Sequence, residues 1–419
     1  MSNNLWDNEL FLKNKVISKE DIEKPTVTIK EFLIKHSKYK NLDLYKGISI
    51  KKKTHSKTQK LNPSIQIAKP EEAKDISVII KQAYNGTYPY KEMESEIEVR
   101  KMIEDPAFYW LVFKVNNNHI IGCIGFDINF KNKSAAFHAL AVKKDFQGIT
   151  ALFDLLLAGY YSILNKYEKK ILSWSCEIRS AHNKTQFLSI FIDLFPIAFF
   201  PKKDIFFNRE ESEFLFIIYD SDALYKYRSK EKPKIIYQIL NCYAYATKKL
   251  QIGLPQAKKY KKLNFNKKEI NYINRNLIVK AESDSIGNEK FTISIKNRDS
   301  NITFLHNPIN KIFEKTEYQV SNKEELLIFV QKIKQLIKNY NIRYFECFVS
   351  AYHPSHQTIL FDADLTPFGY IPSFKYNEKN GVFEDQIVFV YYEGKVNNHL
   401  KLIPETEDFL RTIKPLWDF

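Results

Sequence analysis

The chain has 419 residues, 44% of them hydrophobic and 15% aromatic, and a formal net charge of +15. Those values exclude the disordered class, and with no run approaching 18 apolar residues no membrane-spanning helix is expected. At this length two domains are expected rather than one core.

The charge is uneven. Residues 1–60 hold 14 Lys against 7 acidic residues, and "KKKTHSKTQK" (51–60) is a charge run. Residues 1–62 read as a basic extension with one or two weak helices in "TVTIKEFLIKHSKY" and a solvated linker. No arginine cluster with interleaved aromatics accompanies them, so nucleic acid is not an expected partner. The start, "MSNNLWDNELFLKNK", lacks the basic head and apolar block of a signal peptide. Cys123, Cys176, Cys242 and Cys347 stand far apart in apolar runs, which predicts buried free thiols and neither a disulfide framework nor a metal site. A cytoplasmic setting is the default expectation.

Regular patterning starts at "SIQIAKPEEAKDISVIIKQAY". Ile65 and Ile67 alternate as in a strand, and Ile76, Ile79, Ile80 and Ala83 then recur at helical spacing. "FYWLVFKVNNNHIIGCIGFDINF" reads as a hairpin turning at "NNNH". The strand "SAAFHALAV" (134–142) leads into a helix whose face is Ala151, Leu152, Leu155, Leu156 and Tyr160. A buried strand (169–178), a helix, a Pro-marked turn and a closing strand (212–219) follow. Antiparallel pairs combined with a strand–helix–strand crossover define an α+β (mixed α/β) class for residues 63–221.

Residues 222–268 form a Lys- and Tyr-rich connector with one amphipathic helix through Ile235, Ile236, Ile239, Leu240 and Tyr243, ended by "GLP" at 253–255. In residues 269–419 strands are expected near 276–280, 290–296 and 302–305. A helix opened by a Ser321/Glu324 capping box comes next, then "IRYFECFVSAY" and a last strand (385–392).

One unit occurs twice. "SAHNKTQFLSIFIDLFPIAFFP" (180–201) aligns without a gap to "AYHPSHQTILFDADLTPFGYIP", 171 residues further on. His182 matches His353, Gln186 matches Gln357, Asp193 and Leu194 match Asp364 and Leu365, and Pro196 and Pro201 match Pro367 and Pro372. Such self-similarity predicts a duplicated domain, each copy ending in strand, helix, turn, strand and final strand.

The stretch richest in chemistry is "LAVKKDFQGITALFDLLL" (140–157), where a strand runs through a short loop into a helix. Free N–H groups and the positive end of the helix dipole converge there and suit a pyrophosphate. Gly148, one of 11 glycines in the chain, lets phosphate approach the backbone.

These pieces in this order resemble the GCN5-related N-acetyltransferase (GNAT) superfamily over residues 65–219. "IQIAKPEEAKDISVII" resembles its first strand and helix, and "WLVFKVNNNHIIGCIGF" its second and third strands. "HALAVKKDFQGITALFDLLL" resembles its fourth strand and acyl-CoA loop. Gln147 and Gly148 fit the loop pattern, whereas Thr150 and Leu152 stand where the family has glycines, so their side chains are expected to narrow the approach of phosphate. "AHNKTQ" and "YHPSHQ" both resemble a His-Pro-x-x-Gln variant of the family's fourth helix. In the second copy "VSNKEE" replaces the loop with carboxylates, so that copy reads as degenerate, completing the fold or shaping the acceptor pocket.

The resemblance implies a tandem acyltransferase with acetyl-CoA or another acyl-CoA as cosubstrate and a small-molecule or peptide amine as acceptor. The cofactor would lie along Leu140, Ala141, Val142, Gln147, Gly148, Ile149, Thr150 and Ala151, with a backbone N–H near Ala141 or Val142 polarising the thioester. The amine must shed a proton, for which His138, Glu177 and His182 are the candidates, each also readable as structural. Tyr88 and Tyr90 would line the acceptor pocket, in a loop ("GTYPYKEM") that resembles one bordering that pocket in the family. Two other readings stay open: an enzyme fed by an acyl carrier protein docked on the basic N-terminal segment, and a non-catalytic GNAT-fold scaffold.

Overall fold

The structure is a computed structural model that describes residues 27–49, 54–55, 60–116, 119–148, 150–259, 261–396 and 399–413. Fifteen strands form one continuous sheet. From one edge the order is Ile48–Ser49, β1 (Ser64–Ile67), β2 (Phe108–Val115), β3 (His119–Asn129), β4 (Ser134–Val142), β5 (Ser173–Arg179), β7 (Arg209–Tyr219) and β6 (Phe195–Phe206). The sheet continues through β13 (Thr366–Asn377), β14 (Val382–Tyr392), β12 (Tyr344–Ser350), β11 (Ile312–Gln319), β10 (Asn301–Asn307), β9 (Glu289–Ile295) and β8 (Leu277–Ser283). The helices are α1 (Ile29–Lys35), α2 (Ala73–Ala83), α3 (Glu96–Glu104), α4 (Thr150–Lys166), α5 (Asn183–Phe191), α6 (Leu240–Leu250), α7 (Lys267–Asn276), α8 (Lys323–Asn339), α9 (Pro354–Asp362) and α10 (Pro404–Ile413).

Apart from the edge strand Ile48–Ser49, the strand order reads alike from both ends. Neighbours are antiparallel except β4–β5 and β11–β12, which are parallel and hold corresponding places. Where the halves of the sheet meet, Ala198 of β6 faces Gly369 of β13, two positions 171 residues apart in the sequence.

The repeated residues have repeated tasks. Gln186 is fully buried and donates to the carbonyls of Arg179, His182 and Lys401. Gln357, equally buried, donates to Ser350 and Lys234 and accepts from the Ile236 N–H. Each therefore ties the start of its helix to the end of the preceding strand and to a segment far away in sequence, satisfying backbone groups that burial would otherwise leave unpaired. Asp193 and Asp364 both adopt left-handed φ values, 63° and 66°, where α5 and α9 turn into the next strand.

One large apolar core runs through both halves and a smaller one lies under α2 and α3, around Ile76, Ile80, Trp110 and Cys123. All four cysteines are buried and free. Ile29, Phe32 and Leu33 of α1 join the large core, with Phe32 edge-on to Tyr160, so this part of the expected extension is packed onto α4.

Several expectations need correction. Within residues 222–268, α6 is buried along Cys242–Thr247, with Tyr243 against Tyr370 of β13 and Tyr245 against Phe409 of α10. The helix starts at Leu240, since Ile235 and Ile236 belong to a short strand, and it stops at Gln251 with φ 52° rather than at the later "GLP". The cap of α8 is Asn322, one residue later than the expected Ser321; it accepts from the Glu325 N–H, while Glu325 accepts from the Ser321 N–H. Strand β11 was not expected at all. Its Glu314 and Thr316 point inward, which breaks the apolar alternation that marks a strand.

Candidate active site

Strands β4 and β5 keep their parallel pairing only from Ser134–Ala136 against Ser173–Ser175. Past that point Ala139 takes a left-handed φ of 54°, and the register against β3 shifts between Cys123 and Gly125. Such a bulge bends its strand, and a cavity of 380 Å³ lies where the two strands part. Its walls come from β4, β5, the loop after α2, β6 and β7, and also from Glu314 and Lys315 of β11 and Glu346 of β12.

Of the residues singled out in the sequence, His138, Leu140, Glu177, His182, Tyr88 and Tyr90 meet in this cavity. Ala141, Val142, Gln147, Gly148 and Ala151 do not line it; they continue from the end of β4 through the loop into α4. Ile149 lies outside the described residues, and Thr150 is described only as the first residue of α4. Gln147 donates from Nε2 to the Val142 carbonyl at 3.0 Å and ties the loop to the strand. Gly148 has φ 86°, and a Cβ there would meet nothing within 4 Å, so its outer side is open. Leu152 is buried in the core, as is Ala151, so the Leu152 side chain does not narrow the approach to the loop as its place in the motif suggested. At the matching place of the second half, one N–H of the first turn of α8, that of Glu325, is already engaged by the chain's own Asn322 side chain, and the Glu325 carboxylate accepts from the Ser321 N–H just before the helix.

The interior of the cavity is acidic. Lys203 of β6 is 2% exposed; both Glu177 oxygens accept from its ammonium at 2.9 Å, and Glu346 and Glu314 stand 3.3 and 3.7 Å away. Burial opposes its charge, but Glu177, Glu346, Glu314 and Asp204 together hold its pKa well above that of an ordinary lysine. Burial first, then the carboxylates of Asp204 and Glu177, push Glu213 well above the carboxylate range. Asp204, whose Oδ1 accepts from Asn310 Nδ2 at 2.7 Å, is raised by burial to about 8.

His138 rests against Phe108 and Trp110, over Gly125, where any Cβ would come within 2.9 Å of the imidazole. Burial, then the charge of Lys315, lowers its pKa to about 4, so the ring is neutral, and its Nε2 has no partner among the described residues. His182 stands at the N-cap of α5 but makes no side-chain cap bond; its Nδ1 is 3.4 Å from Thr185 Oγ1, and burial and then Arg179 lower its pKa. Burial keeps Tyr88 and Tyr90 as neutral phenols, and Tyr90 donates to Glu314 Oε2 at 3.2 Å.

Sequence reasoning missed Lys203, Asp204, Glu213, Glu314 and Glu346. A signal was present for one: Glu346 is the single charge inside the apolar run "YFECFVS", and a carboxylate in a buried strand needs a partner or a task.

No protein-family profile and no curated protein matches the chain. Among solved structures it is similar to spermidine N-acetyltransferase from Vibrio cholerae in complex with CoA and spermine, at 16% identity over 38% of this chain and 96% of that one, with a TM-score of 0.32. RimL, a ribosomal L7/L12 alpha-N-protein acetyltransferase in complex with coenzyme A, is similar at 12% identity over 38% of this chain and 94% of that one, with a TM-score of 0.32.

Proposed function

We propose that the chain moves an acyl group, acetyl in the simplest case, from coenzyme A to an amine held in the cavity, by direct attack within a ternary complex. The observation that carries this reading is the parting of β4 from β5: among the described residues it leaves one edge of β4 without strand pairing beyond Ala136, beside a cavity that holds buried acid–base groups. A backbone N–H near Ala141 or Val142 on that edge would polarise the thioester carbonyl. The loop of Gln147, Gly148, Ile149, Thr150 and Ala151 and the first N–H groups of α4 would hold the pyrophosphate. The open side of Gly148 fits that task.

The amine arrives as an ammonium and must lose a proton before attack. Glu177 is the base in this reading. Its side chain is 35% exposed and can pass the proton outward, whereas Glu314 and Glu346 are 1% and 4% exposed. His138, neutral and with no partner at Nε2 among the described residues, orients the nitrogen, and Tyr88 and Tyr90 wall the acceptor side. We further read residues 63–221 and 269–419 as two copies of one unit, the first binding acyl-CoA and the second, with its α8 terminus self-capped, completing the acceptor pocket.

Calorimetric titration with acetyl-CoA tests the donor site. Micromolar binding is expected for the native chain, with at least a tenfold loss in Gly148→Asp, which sets a carboxylate where phosphate would approach; Asp tolerates a positive φ. Absence of binding by the native chain would remove coenzyme A from the account.

A further inference from the structure

We propose that the acceptor carries a second cationic nitrogen besides the one that reacts, and that Glu314, supplied by the second half of the chain, is the residue that selects for it. The proposal rests on reading the cavity as an acceptor site. Six acidic side chains line it, and three of them, Glu177, Glu314 and Glu346, stand around the ammonium of Lys203. Arg179, also in the wall, is engaged by Glu211 through two hydrogen bonds of 2.7 Å, so Lys203 and Lys315 are the lining cations left to face the carboxylates.

The second observation is specific to Glu314. Its Oε2 accepts from Tyr90 and lies 3.7 Å from Lys203, but its Oε1 is buried with no hydrogen-bond partner among the described residues. A buried, unsatisfied carboxylate oxygen is costly, and a ligand N–H removes that cost. Lys203 itself shows how an alkylammonium lies in this cavity: its Nζ is 4.7 Å from the centre of the Phe200 ring, with carboxylates around the charge. A diamine reproduces that arrangement from the empty side. A monoamine supplies one nitrogen, which is committed to the acyl donor, and leaves Glu314 Oε1 unpaired.

The test is calorimetric titration of the full chain with 1,4-diaminobutane and with n-butylamine, each with and without saturating coenzyme A. The diamine is expected to bind at least tenfold more tightly than the monoamine, and Glu314→Gln is expected to bring the two affinities together while acetyl-CoA affinity stays unchanged. Equal affinities in the native chain, or a diamine preference that survives Glu314→Gln, would overturn the proposal; the comparison in the native chain decides even if the variant fails to fold. A diamine preference without any acetyl-CoA binding would uphold this inference and reject the acyl-CoA reading. Acetyl-CoA binding without a preference would do the reverse.

Discussion

Replacing Glu177 by Gln is expected to lower kcat by about 10²–10⁴-fold, the usual worth of a positioned general base, with the fold and the affinity for acetyl-CoA intact. The amide fills the same space at the outer end of β5, and Lys203 keeps Glu346 and Glu314 as neighbours, so no buried charge is left without an opposite one. The decisive readout is the split between kcat and KM: the variant should keep the KM for acetyl-CoA and lose kcat while retaining a residual rate. A full rate in Glu177→Gln would move the base to His138 or His182, both neutral imidazoles in the same cavity.

The second large effect is on stability. Lys203→Met removes a cation from among Glu177, Glu314 and Glu346 and is expected to cost about 3–5 kcal/mol, because breaking a buried pair strands the remaining charge. The loss should depend on pH. Burial raises Asp204 from 3.8 in the unfolded chain to about 8 in the fold, and it also raises Glu213 well above the carboxylate range. The fold then binds more protons than the unfolded chain, so this contribution is fully present below 3.8 and is lost as pH rises toward 8. His138 works in the opposite direction: held neutral at about 4 against 6.5 unfolded, it takes stability away as pH falls from 6.5 to 4. The interval from pH 6.5 to 8 therefore belongs to the carboxyls, and there the native melting temperature should fall with rising pH. Without Lys203 that fall should steepen, and the gap between variant and native chain should close in acid, where protonated carboxyls need no partner. A constant gap across pH would show that Lys203 contributes packing rather than charge.

How much of this was legible in the sequence depends on which way the side chains face. The first half was legible because Ile65, Trp110, Leu111 and Phe126 bury apolar side chains where periodicity expects them. Gln186 and Gln357 showed through the repeat, although their task, clamping carbonyls far away in sequence, has no local signature. The loop at Gln147 and Gly148 and the wall residues Tyr88, Tyr90, His138, Glu177 and His182 were found from local pattern and resemblance. The acidic cluster was not. Glu314 lies on a strand whose inward face is polar, so the rule that detects strands hid both the strand and the carboxylate it carries into the cavity wall. Lys203 and Asp204 stand in a strand otherwise rich in aromatic residues; Lys203 meets Glu177 of its own half and Glu314 and Glu346 of the other, and Asp204 accepts from Asn310 of the other, while Tyr90 reaches across to Glu314. Contacts between residues 106 and 224 positions apart are set by topology, which no window of the sequence contains.

The most direct measurement is turnover. The purified full chain is incubated with acetyl-CoA and 1,4-diaminobutane, free thiol is followed in time, and the amine product is identified by mass. Equal amounts of thiol and mono-acetylated amine, formed by the native chain and lost in both Gly148→Asp and Glu177→Gln, are the expected result. Thiol release without an acetylated amine, or turnover indifferent to both substitutions, would contradict the account.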